Sequence, residues 1–586
     1  MTSLNDIAKV IAVGPDVIEI EVSSTEQYEE LDEQLQIGSY LQISDDNDST
    51  IVAVVQGFRI KDAIAASESP SEPRFVLSLQ PVGRLDNGTF RRGGKQITIP
   101  PQHIEIANKD LLETIYNSIA PDDRFAFGSL VQDTSVRVNL HGDRFFGKHI
   151  GVVGSTGSGK SSTVAAILQE GTRPADAQRD AGVLNNSHVI IFDIHGEYGP
   201  AFPDAHVIGV DEIKLPYWLM NAEELEEMFI ESNEQNSHNQ VSQFRNAVIT
   251  SKQQSNPGID PAKVSYDSPL YFALDGVINY LSNLNAEVVS KMAGELGLPK
   301  TKDGRVLETR GAEYYNGRIE FADTSQAKDG KASNGPFAGE FDRFLMRLDG
   351  RKADHRLDFL LASRKEDGQE YATEDFSVLL EQFMGYGRDR SNVSIIDLSG
   401  IPFDVLSVVV SLITRLIFTF SFHFKKLHAS DGIELPFLLV YEEAHNYIPQ
   451  SEGAKYGSVK RAIERVAKEG RKYGISLMIV SQRPSEISET VFSQCNNFVA
   501  MRLTNPTDQR YVKRLLPDNL AAITDSLASL EQREAILIGD AVALPSLTQI
   551  DTIINKPASN DVRFRHEWKK DWLSEAFDGV IERWRG

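Results

Sequence analysis

Val152-Val153-Gly154-Ser155-Thr156-Gly157-Ser158-Gly159-Lys160-Ser161 is the stretch that decides the fold. A largely apolar run, 149–153, leads in and the helix-compatible residues 162–169 lead out, giving strand, glycine loop, helix. Glycines there let successive backbone N–H groups turn inward around a polyphosphate, and the helix start adds its partial positive charge. The residues expected against it are Gly154, Ser155, Thr156, Gly157, Ser158, Gly159, Lys160, Ser161 and Ser162. Lys160 would bridge the β- and γ-phosphates and the Ser161 hydroxyl would ligate Mg²⁺. The bland alternative is a chance glycine turn, against which stand the filled pattern positions and the correct flanks. The stretch implies binding of a nucleoside triphosphate, ATP with Mg²⁺.

A second apolar run, 437–441, closes on Glu442-Glu443-Ala444-His445. By itself this is a weak signal. Downstream of a glycine loop it has the Walker B form, in which a buried strand delivers carboxylates to the catalytic edge. Glu442 would hold Mg²⁺, and Glu443 would orient and deprotonate the attacking water. From Lys160 to Glu442 the chain runs 282 residues, far more than a minimal core needs between these motifs. Beyond it, apolar residues at helical spacing (Val459, Ala462, Ile463, Val466, Ala467) end at Gly470, followed by Arg471-Lys472-Tyr473-Gly474. A strand over 475–480 then ends in Ser481-Gln482, and Gln482 is the candidate sensor of the γ-phosphate. Arg471 stands at the opposite end of that strand. It is either an exposed ion-pairing arginine or a finger completing a neighbour's site.

The chain of 586 residues suggests roughly three to five domains. With 60 basic against 84 acidic residues the net charge is −24, so no global positive field draws in nucleic acid, and a DNA site must be a local basic lining. The single cysteine, Cys495, excludes an intrachain disulfide and any multi-cysteine zinc site, and fits a reducing, cytoplasmic setting. The first residues lack the pattern of a secretion signal. Residues 405–424 are long and apolar but carry Arg415 mid-span, which reads as a buried core helix and not a membrane span.

Taken in order, residues 1–105 hold short strands at 17–22, 40–43, 51–55, 75–79 and 96–99 separated by turn signals, the pattern of a small β-barrel. Arg91, Arg92 and Lys95 there read equally as a basic site or a solvated hairpin tip. Residues 106–214 begin the nucleotide-binding core, with a connecting helix at 109–124 and a strand over 188–192. Asp193, His195 and Glu197 close that strand and either face the phosphates or, for Asp193, cap the following turn. Residues 215–385 read as a helical insertion, with helices near 222–231, 277–296, 341–348 and 373–383. In it Arg343, Arg347, Arg351, Lys352 and Arg356 make a basic stripe, better explained as a solvated face than as a nucleic-acid contact. Residues 386–555 resume the core, and 556–586 form an aromatic tail expected to pack, in part across a subunit boundary.

The combined motifs at 154–161, 193–198, 392–400, 442–445, 469–474 and 481–484 resemble the HerA family within the HerA/FtsK superfamily. The resemblance covers most of the chain. It implies an α/β fold with a RecA-like P-loop core, an N-terminal barrel, a helical insertion and a packing tail. It also implies a homohexameric ring that translocates double-stranded DNA. Roles carry over to Lys160, Ser161, Glu442, Glu443, Gln482 and, as the finger, Arg471; Glu442 stands where an aspartate is common. Members usually act with a partner, either the nuclease NurA or, in anti-phage defence, a sirtuin-like NAD hydrolase or nuclease effector. This chain carries no nuclease or NAD motif, so the effector would be a separate chain. Lys455 and Lys460 are positional candidates for the channel. A second reading is an ATP-regulated ring scaffold that activates an effector without moving DNA processively.

Overall fold

A computed structural model describes residues 4–14, 16–22, 35, 37–44, 50–61, 74–86, 89–93, 103–173, 184–230, 237–324, 331–387, 390–451, 457–515, 524–559, 562–572 and 577–585. The expected strand at 96–99, Lys95 and Lys455 lie outside them.

Alternating apolar residues at the start of the chain form seven antiparallel strands: β1 (Ala8–Val13), β2 (Ile18–Val22), β3 (Tyr40–Ser44), β4 (Thr50–Lys61), β5 (Arg74–Asp86), β6 (Thr89–Arg92) and β7 (His103–Ile106). Their order is β1-β2-β5-β4-β3-β7, with β6 on β5. Period-two alternation puts Ile18, Ile20, Leu41, Ile43, Ala53, Val55, Leu77 and Leu79 in a core of their own. Val52, Val54 and Tyr40, on the other face, join the main core, and the Tyr40 hydroxyl donates to the Pro545 carbonyl at 2.6 Å. Bulges at Val52/Ala53 and Val55/Gly57 bend the long β4–β5 pair. Among the described residues no hydrogen-bonded pairing joins β1 to β7, and the curved sheet is compatible with the small barrel expected from the sequence.

The main body is built on β8 (Gly128–Leu130), β9 (His149–Val153), β10 (His188–Asp193), β11 (His206–Ile208), β12 (Val393–Asp397), β13 (Phe437–Tyr441), β14 (Ile475–Ser481), β15 (Cys495–Met501), β16 (Glu534–Gly539) and β17 (Ser546–Ile550). They form one sheet in the order β11-β12-β10-β13-β14-β9-β15-β16-β17-β8. The seven strands from β11 to β15 are parallel, and the last three pair antiparallel. The runs β9, β13 and β14 are buried at every position, as expected of strands covered on both faces. All seven parallel strands therefore end at one edge, which carries the glycine loop, Glu442-Glu443 and Gln482.

Helix α1 (Lys160–Gly171) follows the glycine loop, and between β11 and β12 stand α2 (Ala222–Phe229), α3 (Ser237–Ser255), α4 (Leu274–Ala286) and α5 (Asp342–Lys352). The insertion has no separate core: Phe244, Val277, Leu281 and Phe344 belong to the same buried cluster as the sheet. The helix expected over 277–296 stops at Ala286, where buried Glu287 accepts from Arg310 and the Tyr314 hydroxyl, and a short strand (Val288–Ser290) follows. The basic stripe is absorbed locally. Phe344 and Leu348 are buried, while Arg351 pairs with Asp404, Lys352 with Asp275 and Arg356 with Asp354.

The apolar helix α6 (Phe403–Leu427) is long and apolar enough to cross a membrane, but it is mostly buried against the sheet, as read from the sequence. Its Arg415 donates from Nη2 to Glu224 at 2.8 Å and to the Leu219 carbonyl at 2.6 Å, which explains a cation in mid-helix. Helix α7 (Gly457–Glu469) packs beside it. Among the described residues of the tail, Trp568, Trp572 and Trp584 are exposed, so these aromatics do not pack within this chain.

Glu224 also closes the capping box of α2 with Asn221. Glu224→Ala should lower stability by about 3 kcal/mol, because the half-buried Arg415 loses its counter-charge. Glu224→Leu combined with Arg415→Met should recover most of the loss. Denaturation midpoints of the three variants check this.

Candidate functional site

The glycine loop takes the shape its residues dictate. Gly157 and Gly159 adopt φ of +76° and +97°, which side chains resist. At Gly154 a Cβ would sit 2.6 Å from Ser158 Oγ and 2.9 Å from Met501 Cβ. The loop is pinned to the end of β15: Ser155 N–H donates to the Arg502 carbonyl at 2.8 Å, and its hydroxyl accepts from Thr504 N–H at 3.0 Å. Gly159 caps α1 without a side chain, so the first amides of the helix are left for an anion. Lys160 is 6% exposed and its ammonium forms no hydrogen bond or ion pair with a described residue, and Ser158 Oγ is buried without a partner among them. A buried, unpartnered ammonium beside free amides is the donor set a polyphosphate requires.

Acids converge from two strands. Past β10, Asp193 accepts from the amides of Tyr198 (2.9 Å) and His195 (3.3 Å), so it caps the turn, the second of its two sequence readings. His195 is exposed. Glu197 reaches the loop and accepts from the Ser161 hydroxyl at 3.2 Å. Past β13, Glu442 and Glu443 are 3% and 4% exposed. The Tyr198 hydroxyl donates to Glu442 Oε2 at 2.9 Å. Burial first, and the Glu443 charge second, push the Glu442 carboxyl up to about 8. Burial lowers the Lys160 ammonium, opposed by Glu443, Glu442 and Glu197.

Glu443 has a left-handed backbone, φ +46°, and accepts from the Gln482 amide, whose oxygen in turn accepts from the Thr156 hydroxyl. His445 lies 3.3 Å from the second Glu443 oxygen. Gln482 therefore bridges the loop and the second acid, as a residue responding to both would. Ser161, Glu442 and Glu197 are hard oxygen donors of the kind Mg²⁺ takes, so the set fits that ion. Tyr198 and His445 were given no role in the sequence reading; only the folded chain brings the phenol to Glu442.

Arg471 is elsewhere. It sits in the turn Gly470–Tyr473 at the start of β14, the sheet edge opposite the loop, and is exposed. Its carbonyl accepts from Gly474 N–H, but its guanidinium makes no hydrogen bond or ion pair with a described residue, and it borders a cavity of about 1030 Å³ with Arg124, Arg137, Asp143 and Glu170. Lys460 is half-buried on α7.

A parallel sheet carrying this loop and these carboxylates at one edge defines a P-loop NTPase, and the protein is an ATPase. The chain belongs to the HerA family: the family model described as "Helicase HerA, central domain" matches residues 125–417. It is 28% identical over 471 residues to the DNA double-strand break repair helicase HerA of Saccharolobus solfataricus, covering 80% of this chain and 76% of that one. To the probable DNA double-strand break repair helicase HerA of Methanocaldococcus jannaschii it is 23% identical over 577 residues, covering 92% and 96%. Among solved structures it is similar to VirB4 of Thermoanaerobacter pseudethanolicus (TM-score 0.45, 14% identity, 74% of this chain and 98% of that chain). It is also similar to the plasmid coupling protein TrwB in complex with ADP and Mg²⁺ (TM-score 0.41, 12% identity, 78% and 94%).

The raised Glu442 has a consequence for stability. Folded, it keeps its proton up to about 8, whereas in the unfolded chain it ionises near the ordinary glutamate value. Its stabilising contribution is thus complete below the ordinary value and is lost as pH rises through about 8. The melting temperature of the nucleotide-free protein should fall as pH rises from the ordinary glutamate range to about 8 and level off above it, and Glu442→Gln should flatten that fall. A pH series of melting curves for both proteins measures it.

Proposed function

We propose that this chain is one protomer of a homohexameric ring that hydrolyses ATP between neighbouring subunits and uses the hydrolysis to move double-stranded DNA. The observation that carries the reading is the division of the site. Every hydrolysis residue inferred from the sequence meets at one sheet edge except Arg471, whose unpaired guanidinium stands at the other. Within one protomer Lys160 is the cation that meets the γ-phosphate, and a neighbour presenting its opposite edge supplies a second one, Arg471, for the charge that develops there.

In this reading the amides of 154–162 and Lys160 hold the triphosphate. Ser161 and Glu442 would hold Mg²⁺, which when bound neutralises phosphate charge. Glu443 orients and deprotonates water, and Gln482 links that carboxylate to the phosphate loop so that occupancy is felt at the base. Residues 106–214 and 386–555 are the ATPase core, and 215–385 the helical insertion. The sheet of 1–105 is the barrel-like module, and the exposed aromatic tail of 556–586 packs on a neighbouring protomer. The names of the curated relatives support a DNA substrate. With a net charge of −24, the DNA contact is a local lining of the ring. A separate effector chain, a nuclease or a sirtuin-like NAD hydrolase, works with it, in a reducing cytoplasm and in anti-phage defence. A second reading, an ATP-regulated scaffold for that effector, is favoured by the acidity and by the N-terminal sheet.

Glu443→Gln should abolish ATP turnover while ATP still binds. Arg471→Ala and Lys160→Ala should each be inactive alone, yet regain turnover when co-assembled, because an intact loop on one subunit then faces an intact arginine on the next. Failure of mixed rings to recover, or turnover retained by Arg471→Ala, overturns the shared site. Duplex DNA should stimulate wild-type turnover; turnover indifferent to DNA but altered by the effector selects the scaffold.

A further inference from the structure

Two non-glycine residues of the described chain have left-handed backbones, Glu443 (φ +46°) and Arg533 (φ +67°). Strain of this kind persists where the surroundings enforce it and gathers at functional sites. Glu443 is one of the paired acids. Arg533, in the turn before β16, was not singled out by any motif, yet it also lies against the glycine loop. Its N–H donates to the Ser158 carbonyl at 3.1 Å, and its own carbonyl accepts from Ile550 N–H at 2.9 Å. Both backbone groups are thereby committed, which fixes the turn and sends the side chain along the start of α1. There Arg533 Cγ stands 3.6 Å from where a Cβ on Gly159 would be, the same distance as Met501 Cε.

The side of the loop matters. Thr156, Gln482 and Glu443 form a connected group at one end, where the proposed water attack takes place. Arg533 sits at Ser158 and Gly159, where loop becomes helix and backbone amides meet the α- and β-phosphates. Its guanidinium is steadied by a hydrogen bond to the Thr552 hydroxyl and forms no ion pair with any described carboxylate. A neutral acceptor holds its direction and leaves its charge uncompensated. Glycine would occupy this backbone without strain, so what arginine adds there is the side chain.

We infer that Arg533 binds the α-phosphate of the nucleotide from within the same subunit, as a binding residue distinct from the chemical step. The inference rests on the glycine loop being the nucleotide site. Arg533→Gly tests it cleanly in the full-length protein, because relief of the positive φ should leave the melting temperature equal to or above that of wild type. Even so, the Kd for ADP and the KM for ATP should rise by about tenfold or more, the scale of one charge-assisted hydrogen bond. The loss should fall on KM and not on kcat, and Arg533→Lys should restore part of the affinity. A folded Arg533→Gly protein with wild-type ADP affinity, or one defective in kcat alone, overturns the inference. Lys160→Ala is the separate control: nucleotide binding that survives it rejects the loop as the site, whatever Arg533 does.

Discussion

The structure depends on burying unlike numbers of charges at one sheet edge. Lys160 brings one cation, while Glu442, Glu443 and Glu197 bring three carboxyl groups, and water is largely excluded from the first three of these four side chains. Such a cluster is tolerable only if a proton is retained or further cations enter. The raised Glu442 is the first of these outcomes, and a metal-bound polyphosphate is the second. Adding a bare polyphosphate would worsen the imbalance near the acids while satisfying Lys160 and the helix amides. The site therefore favours phosphate that arrives with its own counter-ion. The Tyr198 hydroxyl, 2.9 Å from Glu442, gives that carboxyl a partner.

Around this edge the helices are tied together by polar contacts, some buried and some exposed, on an apolar frame. Three acids within about two turns of α2 reach different neighbours: Glu223 pairs with Arg461 of α7, Glu224 with Arg415 of α6, and Glu227 accepts from the Ser407 hydroxyl and the Ser458 amide. The insertion is thus fastened to α6 and α7, the second of which leads directly into Arg471. On the other side, His149 of β9 bonds the Ala467 carbonyl at 2.9 Å and accepts from Leu477 N–H at 3.0 Å. Burial lowers that imidazole to about 4, so it stays neutral and keeps one donor and one acceptor nitrogen. The strand that launches the glycine loop and the turn that carries Arg471 are held in one rigid unit.

The features legible in the sequence are those with a local signature. The loop glycines need unusual backbone angles, buried strands read as continuous apolar runs, and α7 shows its 3.6-residue period. Helix α3 was missed because its buried face includes Gln240, Ser251 and Lys252, with only Phe244, Ala247 and Val248 as an apolar signal. Lys252 is buried because its ammonium donates to the Tyr266 and Ser268 carbonyls, a compensation supplied by the loop after α3 and absent from the helix's own periodicity. Strands β11 and β17 were missed because they are short or alternate at the rim of the sheet. Within the site, the partition between Asp193 and Glu197 was open because either spacing fits a strand end, and only the turn's hydrogen bonds decide it. Arg533 had no signature at all, since its relation to Gly159 exists only once β16 is laid beside β15.

The geometry of β14 bears hardest on the division of the site. Gln482 follows its last residue and Arg471 precedes its first by four, and the strand itself is seven residues long. At about 3.3 Å per residue the strand spans roughly 23 Å, whereas an extended arginine reaches only about a third of that distance from its Cα. No rotamer change or loop adjustment could bring Arg471 to the phosphates held by its own glycine loop without unravelling a fully buried strand at the centre of the sheet. A rigid strand that is buried at every position thus acts as a spacer. It keeps the arginine from its own loop, while its guanidinium stays exposed and without an ion pair among the described residues, as the proposed shared site requires.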